Sequence, residues 1–194
     1  MSSFEKEHKK YAAVFADIRG FTELCKLHDV EQIEMIVGDW FVTAYRDKIA
    51  KFGGLVDKFL GDGMLLFFER TESAFYASCA LRGLAKEIDQ HLNGGQAKGW
   101  LGGEFAIGIG LEYGEVVEGR IPIGNQEHVL RIGECVNMAS RLGEIAEPWE
   151  ILVGNDAHAQ LRGKVDDEIF GKITRGRRRG GEYDCWQVAA EAVL

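Results

Sequence analysis

The sequence predicts an α+β fold with helices flanking a mostly antiparallel sheet, and three patterns support this class. Short apolar runs at residues 11–16, 55–59 and 64–68 have the length of buried strands. Residues 30–48 and 71–92 carry apolar side chains at the spacing of amphipathic helices. The 25 glycines against only 2 prolines indicate tight turns between short elements, so neighbouring strands are expected to form hairpins.

Composition narrows the classes of function. Hydrophobic residues make up 46% and charged residues 28% of the chain, as in a globular protein. No internal repeat or linker interrupts the 194 residues, so we expect a single domain over residues 1–194. The net charge of −8 argues against nucleic-acid binding and against anchoring on an anionic membrane. A nucleotide substrate needs only a local basic or metal-lined pocket, so the net charge does not exclude one.

The chain carries no pattern for a membrane segment or for secretion. No apolar run approaches the roughly 20 residues that span a bilayer. The first ten residues are charged and lack the apolar core of a secretion signal. The four cysteines are widely spaced, without a Cys-x-x-Cys pair, which favours reduced thiols in a cytoplasmic protein over a zinc site or a disulfide framework.

Capping and turn residues set the element boundaries in the first half of the chain. Asp29 and Gln32 have the spacing of a capping box at the start of a long helix. Gly53 and Gly54 end that helix. The predicted elements are a strand at 11–16, helices at 21–27 and 30–48, a hairpin of strands at 55–59 and 64–68, and a helix at 71–92.

The second half is predicted to begin with a hairpin and to end on a strand. Tyr113 and Gly114 are expected to form the turn of that hairpin. Pro148 ends the helix that follows Gly133. The predicted elements are a surface loop at 93–103, strands at 105–111 and 115–121, a helix from 133 to about 147, a strand at 151–153, a helix at 156–161 and a strand at 183–188.

Two acidic residues are candidate metal ligands. Asp17 ends the first strand, and Asp62 lies at the tip of the next hairpin. If those strands are neighbours, both carboxylates meet at one edge of the sheet and, with a backbone carbonyl such as that of Ile18, suit Mg²⁺. The alternative for Asp62 alone is plain turn chemistry.

A phosphate site is predicted next to these acids. Gly20 permits a tight turn, and the helix that follows begins at Phe21 and Thr22. The free backbone N–H groups of such a first turn can bind phosphate. The alternative is that Asp17 merely precedes this helix as a cap.

Three further residues are candidates for substrate contacts. Asn137 and Arg141 lie four apart on one helix and share a face that can present an amide and a cation to a phosphoryl group. The alternative is an exposed polar face with Arg141 paired to Glu144. Lys58 points either into a pocket or to solvent, and the alternation of side chains along the strand does not decide between the two. The basic run at 172–179 either binds a triphosphate or is a solvated loop.

Taken together, three motifs closely resemble the class III nucleotidyl cyclase catalytic domain over about residues 11–188. The motifs are Phe-Ala-Asp17-Ile-Arg-Gly-Phe-Thr, Lys58-Phe-Leu-Gly-Asp62-Gly and Gly133-Glu-Cys-Val-Asn137-Met-Ala-Ser-Arg141. The resemblance implies a ferredoxin-like, palm-type core. It also implies conversion of a nucleoside triphosphate to its 3′,5′-cyclic monophosphate and pyrophosphate.

The resemblance assigns expected roles by matching position. Asp17 and Asp62 would hold two Mg²⁺ or Mn²⁺ ions, Asn137 would orient the ribose, and Arg141 would neutralise charge on the α-phosphate. Arg175 stands roughly where the family has a Lys-Gly that binds the terminal phosphates. Active sites in the family lie between two head-to-tail domains, so we expect a homodimer in which each chain supplies half of each site.

The choice of base rests on two positions. Lys58 matches the lysine of adenylyl cyclases, which donates to an unprotonated ring nitrogen. The second position, seven residues before Asn137, is Leu130, which cannot accept a hydrogen bond from the adenine amino group. Adenylate cyclase is the favoured prediction, because the positions for the metals and the transition state are all intact and Lys58 matches the adenine-type lysine. The alternatives are a guanylate or relaxed-specificity cyclase and a non-catalytic nucleotide-binding domain of the same fold.

Overall fold

An eight-stranded sheet forms the centre of the computed structural model, which describes residues 6–94, 102–176 and 181–192. The strands are β1 (Lys6–Ile18), β2 (Leu55–Leu60), β3 (Gly63–Phe68), β4 (Ile107–Ile123), β5 (Gln126–Ile132), β6 (Ile151–Val153), β7 (Phe170–Gly176) and β8 (Glu182–Val188). The helices are α1 (Phe21–Leu27), α2 (Val30–Thr43), α3 (Thr71–Asn93), α4 (Glu134–Ile145) and α5 (Asn155–Leu161). No helix within these described ranges is both long and apolar enough to cross a membrane.

The sheet order is β2-β3-β1-β4-β6-β8-β7, and β5 pairs with the far half of β4. Every neighbouring pair is antiparallel except β4 and β6. The predicted α+β class with a mostly antiparallel sheet and flanking helices is thereby confirmed.

The central strand β1 separates two layers of core because its side chains alternate between the faces of the sheet. Val14 packs on one face, in the large cluster that includes Trp40 of α2 and Leu81 of α3. Phe15, on the other face, packs in a smaller cluster with Ala139 of α4. Helices α2 and α3 therefore cover one face, and α4 covers the other.

The predicted capping box at the start of α2 is confirmed. The Asp29 side chain accepts from the backbone N–H of Gln32 at 2.8 Å, and the Gln32 side chain accepts from the backbone N–H of Asp29 at 3.1 Å. After Thr43 the helical path continues as a π-helical segment, Ala44–Ile49, and a short 3₁₀ turn. It ends at Gly53, whose φ of 71° is left-handed, as the sequence predicted.

The predicted hairpin at Tyr113 and Gly114 is wrong, because β4 continues through both residues. Gly114 is needed there for space: a Cβ on it would lie 3.0 Å from the Cβ of Cys135 in α4. The glycine marks a close approach inside a strand rather than a turn. The chain reverses instead at Gly124, with a φ of 62°, and returns as β5, which the sequence patterns did not reveal.

Strand β7 is the second element that the sequence patterns missed. Residues 172–176 of the basic run lie in this strand, paired with β8. The rest of the run, 177–179, lies outside the described residues, as does the stretch 95–101 of the predicted surface loop. The strand was hidden because its basic residues resembled a solvated loop.

Helix α4 lies unusually close to the sheet. A Cβ on Gly110 of β4 would lie 2.1 Å from the carbonyl oxygen of Ala139 and 2.3 Å from the backbone nitrogen of Gly143. A Cβ on Gly143 would in turn lie 2.6 Å from the ring of Phe15. Glycine at both positions lets the helix backbone rest directly on β1 and β4.

We expect Gly110→Ala to destabilise the fold by about 1–3 kcal/mol, because its methyl group would push α4 off the sheet. Urea unfolding measures the loss. Gly171→Ala is the matched control, since a Cβ on Gly171 of β7 meets no atom within 4 Å. Equal stability of the two variants would contradict the close seating of α4.

Candidate active site

Two carboxylate residues meet where β1 ends. Asp17 is paired in register with Gly63 of β3, and Asp62 immediately precedes Gly63 at the hairpin tip. The backbone N–H of Ile18 donates to the carbonyl oxygen of Asp62 at 3.3 Å, which joins the hairpin tip to the end of β1. The structure therefore brings together the three residues that the sequence proposed as metal ligands.

Burial and repulsion make this acidic pair unfavourable without a counter-charge. Burial, and then the negative charge of Asp62, raise the pKa of Asp17 above its ordinary value. The nearby Arg19 offsets part of that rise. A divalent cation held between the two carboxylates would remove the repulsion.

The ligands available at the pair indicate the kind of cation. Within the described residues, no group of three or more His, Cys, Asp or Glu side chains is placed to hold a metal ion. Further ligands would therefore be a backbone carbonyl, water or phosphate oxygens. An oxygen-only set completed by substrate phosphates fits Mg²⁺ or Mn²⁺.

Arg19 is a site residue that the sequence patterns did not single out. Its Nη2 lies 3.7 Å from Oδ2 of Asp17 and donates to the carbonyl of Gly143, while its Nη1 donates to the carbonyl of Glu144 at 3.3 Å. The guanidinium packs against the backbone of Gly108, where a Cβ would lie 2.2 Å from its Nη2. Arg19 thus links the acidic pair to the C-terminal end of α4.

The predicted phosphate turn has the expected backbone. Gly20 adopts a left-handed conformation with φ 71°, and α1 begins at the next residue. Phe21 packs against the core, whereas Thr22 is exposed. The turn follows directly on the acidic pair.

Asn137 and Arg141 lie on the exposed side of α4. The buried side of the helix consists of Cys135, Ala139, Leu142 and Gly143. The Asn137 side chain makes no hydrogen bond to another described residue. The guanidinium carbon of Arg141 lies 5.9 Å from the ring centre of Tyr183, a cation–π contact that the sequence did not reveal.

Lys58 lies on β2 with 42% of its side chain exposed, and its Nζ is 3.3 Å from Oδ2 of Asp57. Asp57 is nearly fully buried and also accepts from Arg131 of β5 at 2.6 Å. Leu130 is half-exposed, and strand alternation directs it to the face of β5 opposite to Arg131. The sequence patterns missed Asp57 and Arg131, which are far apart along the chain.

Arg175 is bonded to an acid within its own chain. Its Nη2 donates to Oε1 of Glu150 at 2.7 Å, and the same oxygen accepts from Gln187 at 2.6 Å. This hydrogen bond to Glu150 raises the pKa of Arg175. Because only 4% of the Glu150 side chain is exposed, the acid needs this partner. Phosphate binding by Arg175 stays a prediction.

The sequence matches one protein family over almost its whole length. The family model of the adenylate and guanylate cyclase catalytic domain matches residues 4–188. The chain belongs to this family. The resemblance carried by the three motifs is thereby confirmed.

Relatives of this cyclase domain include much longer proteins. An uncharacterized protein of Mycobacterium tuberculosis is 30% identical over 164 residues, which cover 84% of this chain and 27% of that protein. An adenylate cyclase of Anabaena cylindrica is 26% identical over 143 residues, which cover 73% of this chain and 28% of that protein. The cyclase domain thus spans about a quarter of the length of these curated relatives.

Solved structures of both kinds of cyclase share the fold. The adenylyl cyclase CyaB from P. aeruginosa superposes with a TM-score of 0.79 at 24% identity, covering 95% of this chain and 96% of that chain. A guanylyl cyclase superposes with a TM-score of 0.78 at 22% identity, covering 94% and 92%. Because both kinds share it, the fold alone does not select the nucleotide, and specific side chains must do so.

In one chain of the cyclase domain the predicted site residues form separate groups. The acidic pair lies at the end of β1, Lys58 on β2, and Asn137 with Arg141 on α4. Among the described residues, no hydrogen bond or ion pair joins one of these groups to another.

We expect Asp17→Asn to raise the melting temperature of the metal-free domain at about pH 7. Since the folded-state pKa of Asp17 is raised, its ionisation costs stability, and the amide avoids this cost. The difference from the wild type should shrink as the pH falls, because Asp17 in the folded protein takes up a proton at a higher pH than an ordinary aspartate does. Calorimetry in EDTA measures it.

The control for this stability gain is Asp39→Asn, because Asp39 is exposed in α2. It should melt like the wild type at every pH. An Asp17→Asn variant that melts at or below the wild type at neutral pH would contradict an unfavourable acidic pair.

Proposed function

We propose that this domain is an adenylate cyclase that converts ATP to 3′,5′-cyclic AMP and pyrophosphate at a homodimer interface. The observation that carries the proposal is the adjacent pair Asp17 and Asp62, in which burial and then the charge of Asp62 raise the pKa of Asp17. Such a pair is costly to the fold and suits a site that binds cations together with phosphates.

The metal ions would be held by the two carboxylates and the carbonyl of Ile18. When bound, two Mg²⁺ or Mn²⁺ ions would lower the pKa of the ribose 3′-OH and neutralise the triphosphate. The 3′ oxygen would then attack the α-phosphorus as the bond to the β-phosphate breaks.

The remaining residues would bind and orient the nucleotide. Asn137 would hold the ribose, and Arg141 would stabilise the charge that builds on the α-phosphate. Lys58 would donate to an unprotonated ring nitrogen of adenine. The phosphates would be bound by Arg175 and by the backbone N–H groups around the turn, which are those of Gly20, Phe21 and Thr22.

A second copy of the chain would complete each site. The acidic pair of one chain would face Lys58, Asn137 and Arg141 of the other, and in the described part of one chain no hydrogen bond or ion pair joins the acidic pair to these three residues. Exposed apolar side chains near these groups support burial against a partner. They are Leu55, Phe59 and Leu60 on β2, and Val129, Leu130 and Ile132 on β5.

The proposal includes a cytoplasmic location. All four cysteines lie within the described ranges and are free thiols. Free thiols are typical of a reducing compartment, where ATP and Mg²⁺ are also supplied.

A guanylate or relaxed-specificity cyclase is the second candidate. Leu130 supports it, because an apolar side chain at that position removes one hydrogen bond that would favour adenine. A solved guanylyl cyclase shares this fold at 22% identity, so the fold is compatible with either nucleotide.

Product analysis tests the chemistry. We expect cyclic AMP from ATP with Mg²⁺ or Mn²⁺, with a rate that rises more steeply than linearly with protein concentration because dimers are the active species. Cyclic GMP as the main product would favour the second candidate. Failure to form either product by a dimeric preparation would contradict cyclase activity.

Mixing two inactive variants tests the shared site. Asp17→Ala and Arg141→Ala chains, co-expressed in equal amounts, should recover about one quarter of wild-type activity, since half of the dimers would contain one intact site of two. Asp17→Ala mixed with Asp62→Ala is the control and should recover none, because both lesions fall on the same half. Recovery in neither mixture would contradict the head-to-tail dimer.

A further inference from the structure

Asp57, the residue before Lys58, occupies an irregular position in β2. Val56 is opposite Leu66 and Lys58 is opposite Leu65, so Asp57 is an extra residue without a partner in β3. Such a β-bulge re-aims the side chains around it. Here it turns Asp57 inward, where 3% of its side chain is exposed, while 42% of the Lys58 side chain stays exposed.

Arg131 fixes the Asp57 carboxylate from β5. Its Nη1 donates to Oδ1 of Asp57 at 2.6 Å, and its Nε donates to Oε2 of Glu118 at 2.8 Å. Its guanidinium carbon lies 5.4 Å from the ring centre of Phe67. Because the guanidinium is planar and rigid, two acids and one aromatic ring leave it a single orientation.

The two oxygens of the Asp57 carboxylate have different partners, and this difference affects Lys58. Arg131 donates to Oδ1 of Asp57, whereas the buried Oδ2 forms an ion pair with Nζ of Lys58 at 3.3 Å and accepts no hydrogen bond from any described residue. A lysine side chain loses rotamer entropy when it is fixed in place. An anchored negative charge beside Nζ holds the lysine in place before the substrate arrives, so less of this entropy is lost on binding.

We propose that Asp57 is the positioning residue of Lys58, anchored by Arg131, and that this arrangement sets the preference for adenine. The inference rests on the proposed function, because it assigns base selection at the same site. Adenine presents an unprotonated ring nitrogen to an ammonium donor, whereas guanine presents an N–H at the equivalent position. Since Leu130 contributes no hydrogen bond, discrimination depends on where Lys58 is held.

Two substitutions separate positioning from structural support. Asp57→Asn and Glu118→Gln each remove one acidic partner of Arg131, but only Asp57 contacts Lys58. We expect Asp57→Asn to lower kcat/KM for ATP about tenfold, mainly through KM, and to reduce the ratio of kcat/KM for ATP over GTP by a similar factor. Glu118→Gln should keep that ratio within about twofold of wild type.

The Lys58→Ala background tests whether Asp57 acts through Lys58. If it does, adding Asp57→Asn to Lys58→Ala should leave the nucleotide preference unchanged. A further change in that background would overturn the proposal, as would equal effects of Asp57→Asn and Glu118→Gln. If Asp57→Asn does not fold, the double variant Asp57→Asn/Arg131→Gln removes both charges and replaces it in the comparison.

Measurements of nucleotide affinity test the role of Asp57 independently of the proposed reaction. Calorimetric titration with ATP and with GTP in Ca²⁺ reports base preference whether or not cyclisation occurs. Wild-type protein that binds ATP without turnover would contradict the cyclase proposal, and weaker ATP binding by Asp57→Asn would still support positioning by Asp57. An unchanged ratio of ATP to GTP affinity in that variant would overturn it.

Discussion

Strand β1 is hydrogen-bonded along both edges, to β3 and to β4, and this pairing sets the geometry of the candidate active site. The register with β3 brings Asp62 beside Asp17. The register with β4 places Gly110 under α4, which determines where Asn137 and Arg141 are displayed. A slip of one residue would turn Asp17 to the other face of the sheet, so the metal chemistry proposed here depends on this register.

The candidate site combines groups that oppose folding with groups that support it. The burial of Asp17 and its repulsion from Asp62 cost stability, and Arg19 compensates for this cost only in part. Residues that lower stability at a cleft are more typical of binding and catalysis than of structural support. Asp17 does not cap α1, because the N-cap of that helix is Gly20 and no side chain caps it. A ligand site at Asp17 stays a proposal.

Two buried acids determine the positions of basic residues that the proposed reaction uses. Glu150 holds Arg175, and Asp57 lies beside Lys58 while Arg131 holds it in place. In each case the side chain of the acid is nearly fully buried, so its loss would remove a short hydrogen bond from an arginine and not merely alter the surface. The chemistry of these basic side chains is therefore connected to the packing of β5 and β8.

The sequence alone determined the α+β class, the family and those local elements whose signals lie between near neighbours, but it did not reveal strands β5 and β7. The capping box of Asp29 spans only three residues, and the motif containing Asp62 spans one turn. Tertiary structure decided the rest. Gly114 lies inside a strand because α4 packs against it, and Asp57 meets Arg131 across a separation of 74 residues. Such partners are brought together by sheet register and helix packing, which no local pattern encodes.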